Sequence, residues 1–160
     1  MFDPNHANPD IGEFAHAGLI VQSLRDAEQL LRSWLGYGFA GLGDGKVPVR
    51  FENGLRETHL TTAWSSPPGI ELILNSPGSI WTSEEPIHLH HLAYWVDDLA
   101  ETSRRLESEG LPLELFFDDG SRTLTRWAYH RQPDGLRIEL ISNSIRDRLE
   151  TQLTRSASGP

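Results

Sequence analysis

No cysteine occurs in the 160 residues. Disulfides, thiolate nucleophiles and cysteine-ligated metals are therefore excluded. Positive charge is scarce: 14 Lys and Arg stand against 23 Asp and Glu, a net charge of −9. Such a chain is a poor partner for nucleic-acid phosphates or anionic lipid. Also missing is any apolar run near the ~20 residues that span a bilayer. The opening MFDPNHANPDIGEF has no basic segment leading into an apolar one, so no secretory signal is read. The expectation is a cytoplasmic protein with no nucleic-acid or membrane partner. An apolar share of 38% beside 23% charged residues suits a globular chain with one sizeable core.

What is present is a repeat. HAGLIVQSL at 16–24 and HLAYWVDDL at 91–99 share one pattern: His, apolar, small, apolar, apolar, Val, polar, polar, Leu. GIELIL at 69–74 and RIELIS at 137–142 share Ile-Glu-Leu-Ile. The two pairs recur at similar spacings, which points to a duplicated module. After the first His strand, Ser23 is placed to cap a helix, with Asp26 in its first turn. Leu24, Ala27, Leu30, Leu31, Trp34 and Leu35 fall at helical spacing and Gly36 closes it. After the second, Asp98 caps, Glu101 follows at capping-box spacing, Leu99 and Leu106 point inward and Gly110 closes.

Strand-like runs follow each helix: YGFAGL, THLTTAW and GIELIL in the first copy, PLELFF, TRWAYH and LRIELI in the second. The turn signals PPG and QPDG each precede a last strand. The fold class is therefore α+β, two tandem βαβββ modules that pair into a curved mixed sheet. The expected division is an N-terminal extension at 1–13, modules at 14–74 and 87–143, a linker at 75–86, and a C-terminal helix with a disordered tail at 144–160.

Side chains alternate along a strand, so His16 shares a face with Gly18, and His91 with Ala93. The small residue leaves room beside each imidazole. Glu71 and Glu139 stand in the middle of apolar strands, where a carboxylate is costly unless paired or bound to a cation. Two histidines and two carboxylates that converge between paired modules suit one divalent metal ion of borderline hardness: Zn, Ni, Co, Fe or Mn. His88 and His90, by alternation, face away from His91 toward solvent or a helix.

The duplicated module, with His opening its first strand and Glu in its last, resembles the vicinal oxygen chelate superfamily over Phe14–Ser142. HHLAYWVDDL and PDGLRIELI carry most of that resemblance, and IELILNSPGSIW is similar to the branch of the methylmalonyl-CoA epimerases. The superfamily also includes glyoxalase I, extradiol dioxygenases and antibiotic-resistance proteins such as those for bleomycin. The resemblance implies a metal held between the modules by His16, Glu71, His91 and Glu139. It implies a small-molecule substrate chelating through vicinal oxygens, and often a homodimer. A metal-dependent isomerase or lyase is expected, with Glu71 or Glu139 taking a proton next to a carbonyl or thioester.

The family's variety sets the alternatives. The epimerases carry an amide where Glu71 stands, whereas bacterial glyoxalase I carries the full His-Glu-His-Glu set. Glyoxalase I also carries an early Arg for glutathione that EFAHAGLIV lacks. Arg50, Arg56, Arg122 and Arg126 are candidates for a phosphate-binding patch, or are scattered surface charges. An extradiol dioxygenase, with Tyr129 and His130 as acid–base groups, is one alternative. A non-catalytic drug-binding protein with an aromatic cleft is another.

Overall fold

The structure is a computed structural model that describes residues 11–133 and 135–157. The remainder of the N-terminal extension and the end of the C-terminal tail lie outside the described residues. Among the described residues, eight strands and three α-helices follow in the order β1 (Glu13–Val21), α1 (Leu24–Leu35), β2 (Gly38–Phe51), β3 (Gly54–Ser66), β4 (Ile70–Leu74), β5 (Ile87–Val96), α2 (Leu99–Ser108), β6 (Leu113–Phe117), β7 (Trp127–Arg131), β8 (Arg137–Ser142) and α3 (Arg146–Ala157). The order strand, helix, strand, strand, strand occurs twice. The sheet closes on itself as β1-β4-β3-β2-β6-β7-β8-β5. β1 runs parallel to β4 and β5 parallel to β8, and the other pairs are antiparallel.

The caps form as their residues require. Ser23 accepts from the Asp26 amide at 3.2 Å and Asp98 from the Glu101 amide at 2.8 Å. Gly36 ends α1 in the left-handed region at φ 74°. α2 ends at Ser108 with Glu109 as its cap, and Gly110 closes it at φ 91°, its amide bonded to the Glu107 carbonyl at 3.1 Å.

Both helices cover the outside of the sheet, and they do so in parallel ways. α1 places Ala27 and Leu31 on Val21, Ala63 and Leu72. α2 places Leu99 and Leu106 on Val96, Ala128 and Leu140. That leaves the inside of the barrel for the remaining apolar residues. Ile20, Val49, Ile73, Leu115 and Tyr129 gather there, and Ile145, Leu149 and Leu153 of the C-terminal segment pack toward Trp64, Trp95 and Ile141.

Three features depart from the sequence reading. The β2–β3 hairpin is far longer than YGFAGL and THLTTAW, because Phe51 pairs with Gly54 around a two-residue turn and the ladder continues to Gly38 and Ser66. The Asn53-Gly54 step is a hairpin signal. The stretch 75–86 supplies more than a connection: Trp81 enters the barrel core and is 1% exposed. Third, His90 is not turned to solvent or to a helix. Gly18 pairs with His91 but Leu19 with Leu89, so His90 is an extra residue in β5. This β-bulge breaks the alternation, and the His90 ring lies 6.3 Å from Trp81 and 5.8 Å from Tyr129. A matching bulge places Ala15 between the pairs Phe14–Tyr94 and His16–Ala93. His88 is partly exposed and pairs with Glu85 at 3.2 Å.

Trp81 reaches the core from a segment that belongs to neither a strand nor a helix. Trp81→Ala is expected to destabilise the fold by about 3–5 kcal/mol, the usual cost of emptying a buried aromatic site. Urea unfolding checks this, and a change under about 1 kcal/mol would show that the segment is not integral to the barrel.

Candidate metal and active site

The register of β1 and β5 builds the centre of the site. Their antiparallel pairing sets His16 opposite Ala93 and Gly18 opposite His91. Parallel pairing then sets Glu71 beside Gly18 and Glu139 beside Ala93. Each small residue thus lies between one imidazole and one carboxylate. The space is needed: a Cβ on Gly18 would lie 1.9 Å from His91 Cε1 and 2.4 Å from both ring nitrogens.

The four side chains are buried, with Glu71 the most exposed at 9%. His16 Nε2 lies 3.1 Å from His91 Nε2, 3.2 Å from Glu71 Oε2 and 3.3 Å from Glu139 Oε2. His91 Nε2 lies 3.5 Å from Glu71 Oε2 and 3.2 Å from Glu139 Oε2. One ligating atom from each residue falls within a set spanning no more than 4.8 Å. Donors bound at about 2.1 Å to one ion lie about 3.0–3.5 Å from their nearest neighbours. The four candidates read from the sequence are brought together, and their spacing fits a single divalent ion. The chemistry of the set fits as well. Two imidazole Nε2 atoms face each other, and Glu139 Oε2 has no hydrogen-bond partner among the described residues.

Electrostatics point the same way. Two carboxylates about 4 Å apart repel by about 4 kcal/mol at an effective dielectric of 20. Burial alone opposes charge on His16, yet Glu71 and Glu139 outweigh it and raise the imidazole to about 9. Burial likewise opposes a charged His91, and Glu139 and Glu71 raise it. Burial pushes both glutamates up, but the two histidines prevail and hold them below the usual carboxylate range. Protons on the imidazoles thus take the place of a cation, and a metal must displace them to bind.

Further contacts orient these groups. Trp64, opposite Glu71 across β3 and β4, donates its indole N–H to Glu71 Oε1 at 3.0 Å. Tyr129 stands opposite Glu139 across β7 and β8, with its hydroxyl 3.5 Å from His91 Nδ1. Burial and both carboxylates push the phenol well above its ordinary value, so it stays protonated. Burial, then the nearby His91, drop His90 to about 2, so its ring is neutral. His130 turns the other way: its ring meets the Leu111 carbonyl and the Ser103 hydroxyl at 3.0 Å each, under α2. It therefore ties α2 to β7 and is removed from the acid–base candidates.

A cavity of about 370 Å³ opens onto His16, Glu71 and Glu139. Its walls include Trp64, Trp127 and Tyr129, with Arg126 and Lys46 also lining it. Two of the other candidate arginines are occupied elsewhere. Arg50 pairs with the buried Asp118, and Arg56 reaches Asn53 and the Phe51 ring. Sequence reasoning missed His90 and Trp81. The first is hidden by the bulge, and the second sits in a stretch that reads as a loop.

Comparison with known proteins agrees with this geometry. The profile of the Glyoxalase/Bleomycin resistance protein/Dioxygenase superfamily matches residues 15–125. The chain belongs to that superfamily. The match contains His16, Glu71 and His91, while Glu139 lies beyond it and is delivered by the β5–β8 pairing. Among solved structures, the chain is similar to methylmalonyl-CoA epimerase from Mycobacterium tuberculosis, at 19% identity and a TM-score of 0.51, over 81% of this chain and 87% of that one. It is also similar to a variant of the Streptomyces coelicolor methylmalonyl-CoA epimerase in complex with 2-nitronate-propionyl-CoA, at 14% identity and a TM-score of 0.54, over 82% and 97%. At these identities the likeness establishes the fold. No curated protein matches the sequence.

Two outcomes are expected. Gly18→Ala should lower zinc affinity by about 10–100-fold, as displaced ligand-orienting contacts do, and a chelator-competition titration with unchanged affinity would contradict the packing. The second concerns pH. The raised His16 stabilises the metal-free protein fully below its ordinary 6.5, and this is lost as pH rises through about 9. The lowered glutamates contribute fully above their ordinary 4.5, and this is lost as pH falls. The metal-free melting temperature should therefore peak between the ordinary glutamate and histidine values. The rise in melting temperature on adding zinc should grow from about pH 6 to about pH 8.5, as fewer protons compete. A rise that is flat or shrinks over that range would refute the protonated resting state.

Proposed function

We propose that this protein is a metal-dependent isomerase of the glyoxalase and epimerase kind, acting on a small carbonyl or thioester substrate with vicinal oxygens. One observation carries the proposal: two imidazoles and two carboxylates converge beside an apolar cavity about 370 Å³ in volume. His16, Glu71, His91 and Glu139 would hold the ion. Bound there, a divalent ion supplies Lewis-acid polarisation of a substrate carbonyl, which makes the adjacent C–H bond more acidic. Six-coordinate geometry leaves about two positions for substrate oxygens once four protein ligands are in place. An extradiol dioxygenase needs room for a chelating substrate and for oxygen, which favours isomerisation here.

The chain's own groups have defined roles in this reading. Glu71 or Glu139 takes the proton and returns it, on the same or the opposite face of the carbon. Trp64 occupies Glu71 Oε1 and so fixes the plane of that carboxylate. The protonated Tyr129 offers a neutral hydrogen-bond donor beside Glu139. Aromatic walls exclude water, which strengthens each of these electrostatic effects. The volume admits a small acyl or hydroxyacyl group, and a longer carrier would extend past Arg126.

The test is proton exchange in deuterium oxide, followed by NMR, over short acyl-CoA thioesters and 2-hydroxy and 2-oxo carbonyl compounds. The zinc- or cobalt-loaded protein should wash deuterium into the carbon next to the carbonyl of at least one of them. Glu71→Gln or Glu139→Gln should slow that exchange by about 10²–10⁴-fold, the usual worth of general-base catalysis. The variant that does so while still binding metal names the base. Exchange with none of the panel, together with oxygen uptake on catechols by the iron-loaded protein, would replace the isomerase reading with the oxygenase one.

A further inference from the structure

His90 is a buried imidazole between a backbone carbonyl and His91, and neither metal ligation nor proton transfer uses it. Its Nε2 lies 3.1 Å from the Ile80 carbonyl oxygen and its Nδ1 lies 2.9 Å from His91 Nδ1. A carbonyl oxygen only accepts, so His90 Nε2 carries the hydrogen. His91 turns its Nε2 toward His16, Glu71 and Glu139, so a ligating His91 carries its hydrogen on Nδ1. The hydrogen between the two Nδ1 atoms then belongs to His91, with His90 Nδ1 accepting it, and His91 Nε2 is the nitrogen that would meet an ion once its own proton is displaced.

We infer that His90 is a positioning residue that fixes the ring orientation and tautomer of His91 through a relay from the Ile80 carbonyl. The inference rests on the metal-site reading above. The stretch 75–86 then serves the site as well as the core, because Trp81 fills the barrel and its neighbour Ile80 anchors the relay. The bulge is what makes this possible, because a regular strand would send His90 to the opposite face from His91. The first module lacks the device. Its bulged residue is Ala15, which has no polar side chain, and His16 Nδ1 has no hydrogen-bond partner among the described residues. The two histidines at the centre are therefore held unequally, His91 with a hydrogen-bonded partner behind its ring and His16 with ring packing on Trp64 instead.

The experiment compares zinc binding by the parent chain, His90→Phe and His90→Gln in a chelator-competition titration, with ¹⁵N NMR of the histidine rings in the zinc-loaded parent. Phe keeps the ring volume but accepts nothing, whereas Gln keeps one acceptor and one donor. His90→Phe should lose about 10–100-fold in affinity, as ligand-orienting contacts do, and His90→Gln should recover most of it. The parent should show a slowly exchanging His91 Nδ1–H with a scalar coupling to His90 Nδ1 across the hydrogen bond. A His90→Phe variant that folds and binds zinc as tightly as the parent overturns the relay alone, as does an Nδ1-coordinated His91. A parent whose zinc affinity is unchanged by His16→Ala overturns the metal site, and the relay with it.

Discussion

Everything at the centre of this barrel depends on one register. β1 and β5 run antiparallel, and each carries His, any residue, then a small residue. In that arrangement each imidazole falls opposite the other strand's small residue, His16 on Ala93 and His91 on Gly18. A shift of either strand by one position would turn its histidine to the outer face. A larger residue at position 18 would meet the His91 ring. The parallel neighbours β4 and β8 then add Glu71 and Glu139 beside those small residues. Four chemical groups from four strands meet because two three-residue patterns are complementary to each other.

That convergence has an electrostatic cost that only positive charge relieves. Two buried carboxylates repel, and burial opposes their ionisation. In the metal-free protein the two imidazoles serve as the compensating cations, which is why their protons are held above the ordinary histidine range. A divalent ion performs the same neutralisation with a larger charge. The protonated centre and the metal centre are therefore competing solutions of one problem, and pH decides the balance between them. The outer packing under α1 and α2 takes no part in this balance. It is apolar apart from the buried His130–Ser103 hydrogen bond under α2, and it holds the strands while the interior carries the charge.

Much of this is legible in the sequence, because the repeat supplies what a single motif cannot. A lone histidine in a strand says little. His16 and His91 at matching places, each followed by a small residue, with Glu71 and Glu139 also at matching places, pick out four residues that the fold brings together and point to the α+β architecture of paired modules. The caps at Ser23 and Asp98 are local and therefore readable. What stays hidden depends on departures from regular period. Alternation sends His90 outward, but it holds only where no residue is inserted, and the bulge appears only once β1 and β5 are paired. Trp81 is hidden because a loop has no period to read. His130 illustrates the converse: next to Tyr129 in sequence, it lies on the other face of the strand and belongs to the packing of α2.

The two halves have not stayed equivalent, and several of the differences concern the groups behind the four converging residues. Opposite Glu71 stands Trp64, whose indole can only donate, and it holds one carboxylate oxygen. Opposite Glu139 stands Tyr129, whose hydroxyl can donate and accept. Behind His91 stands His90, and at the matching place before His16 stands Ala15. Duplication fixed the four ligands in space, and substitution behind them then made the sides chemically unequal. His91 has a hydrogen-bonded partner behind its ring, whereas His16, packed on Trp64 and lining the cavity, has none on its Nδ1.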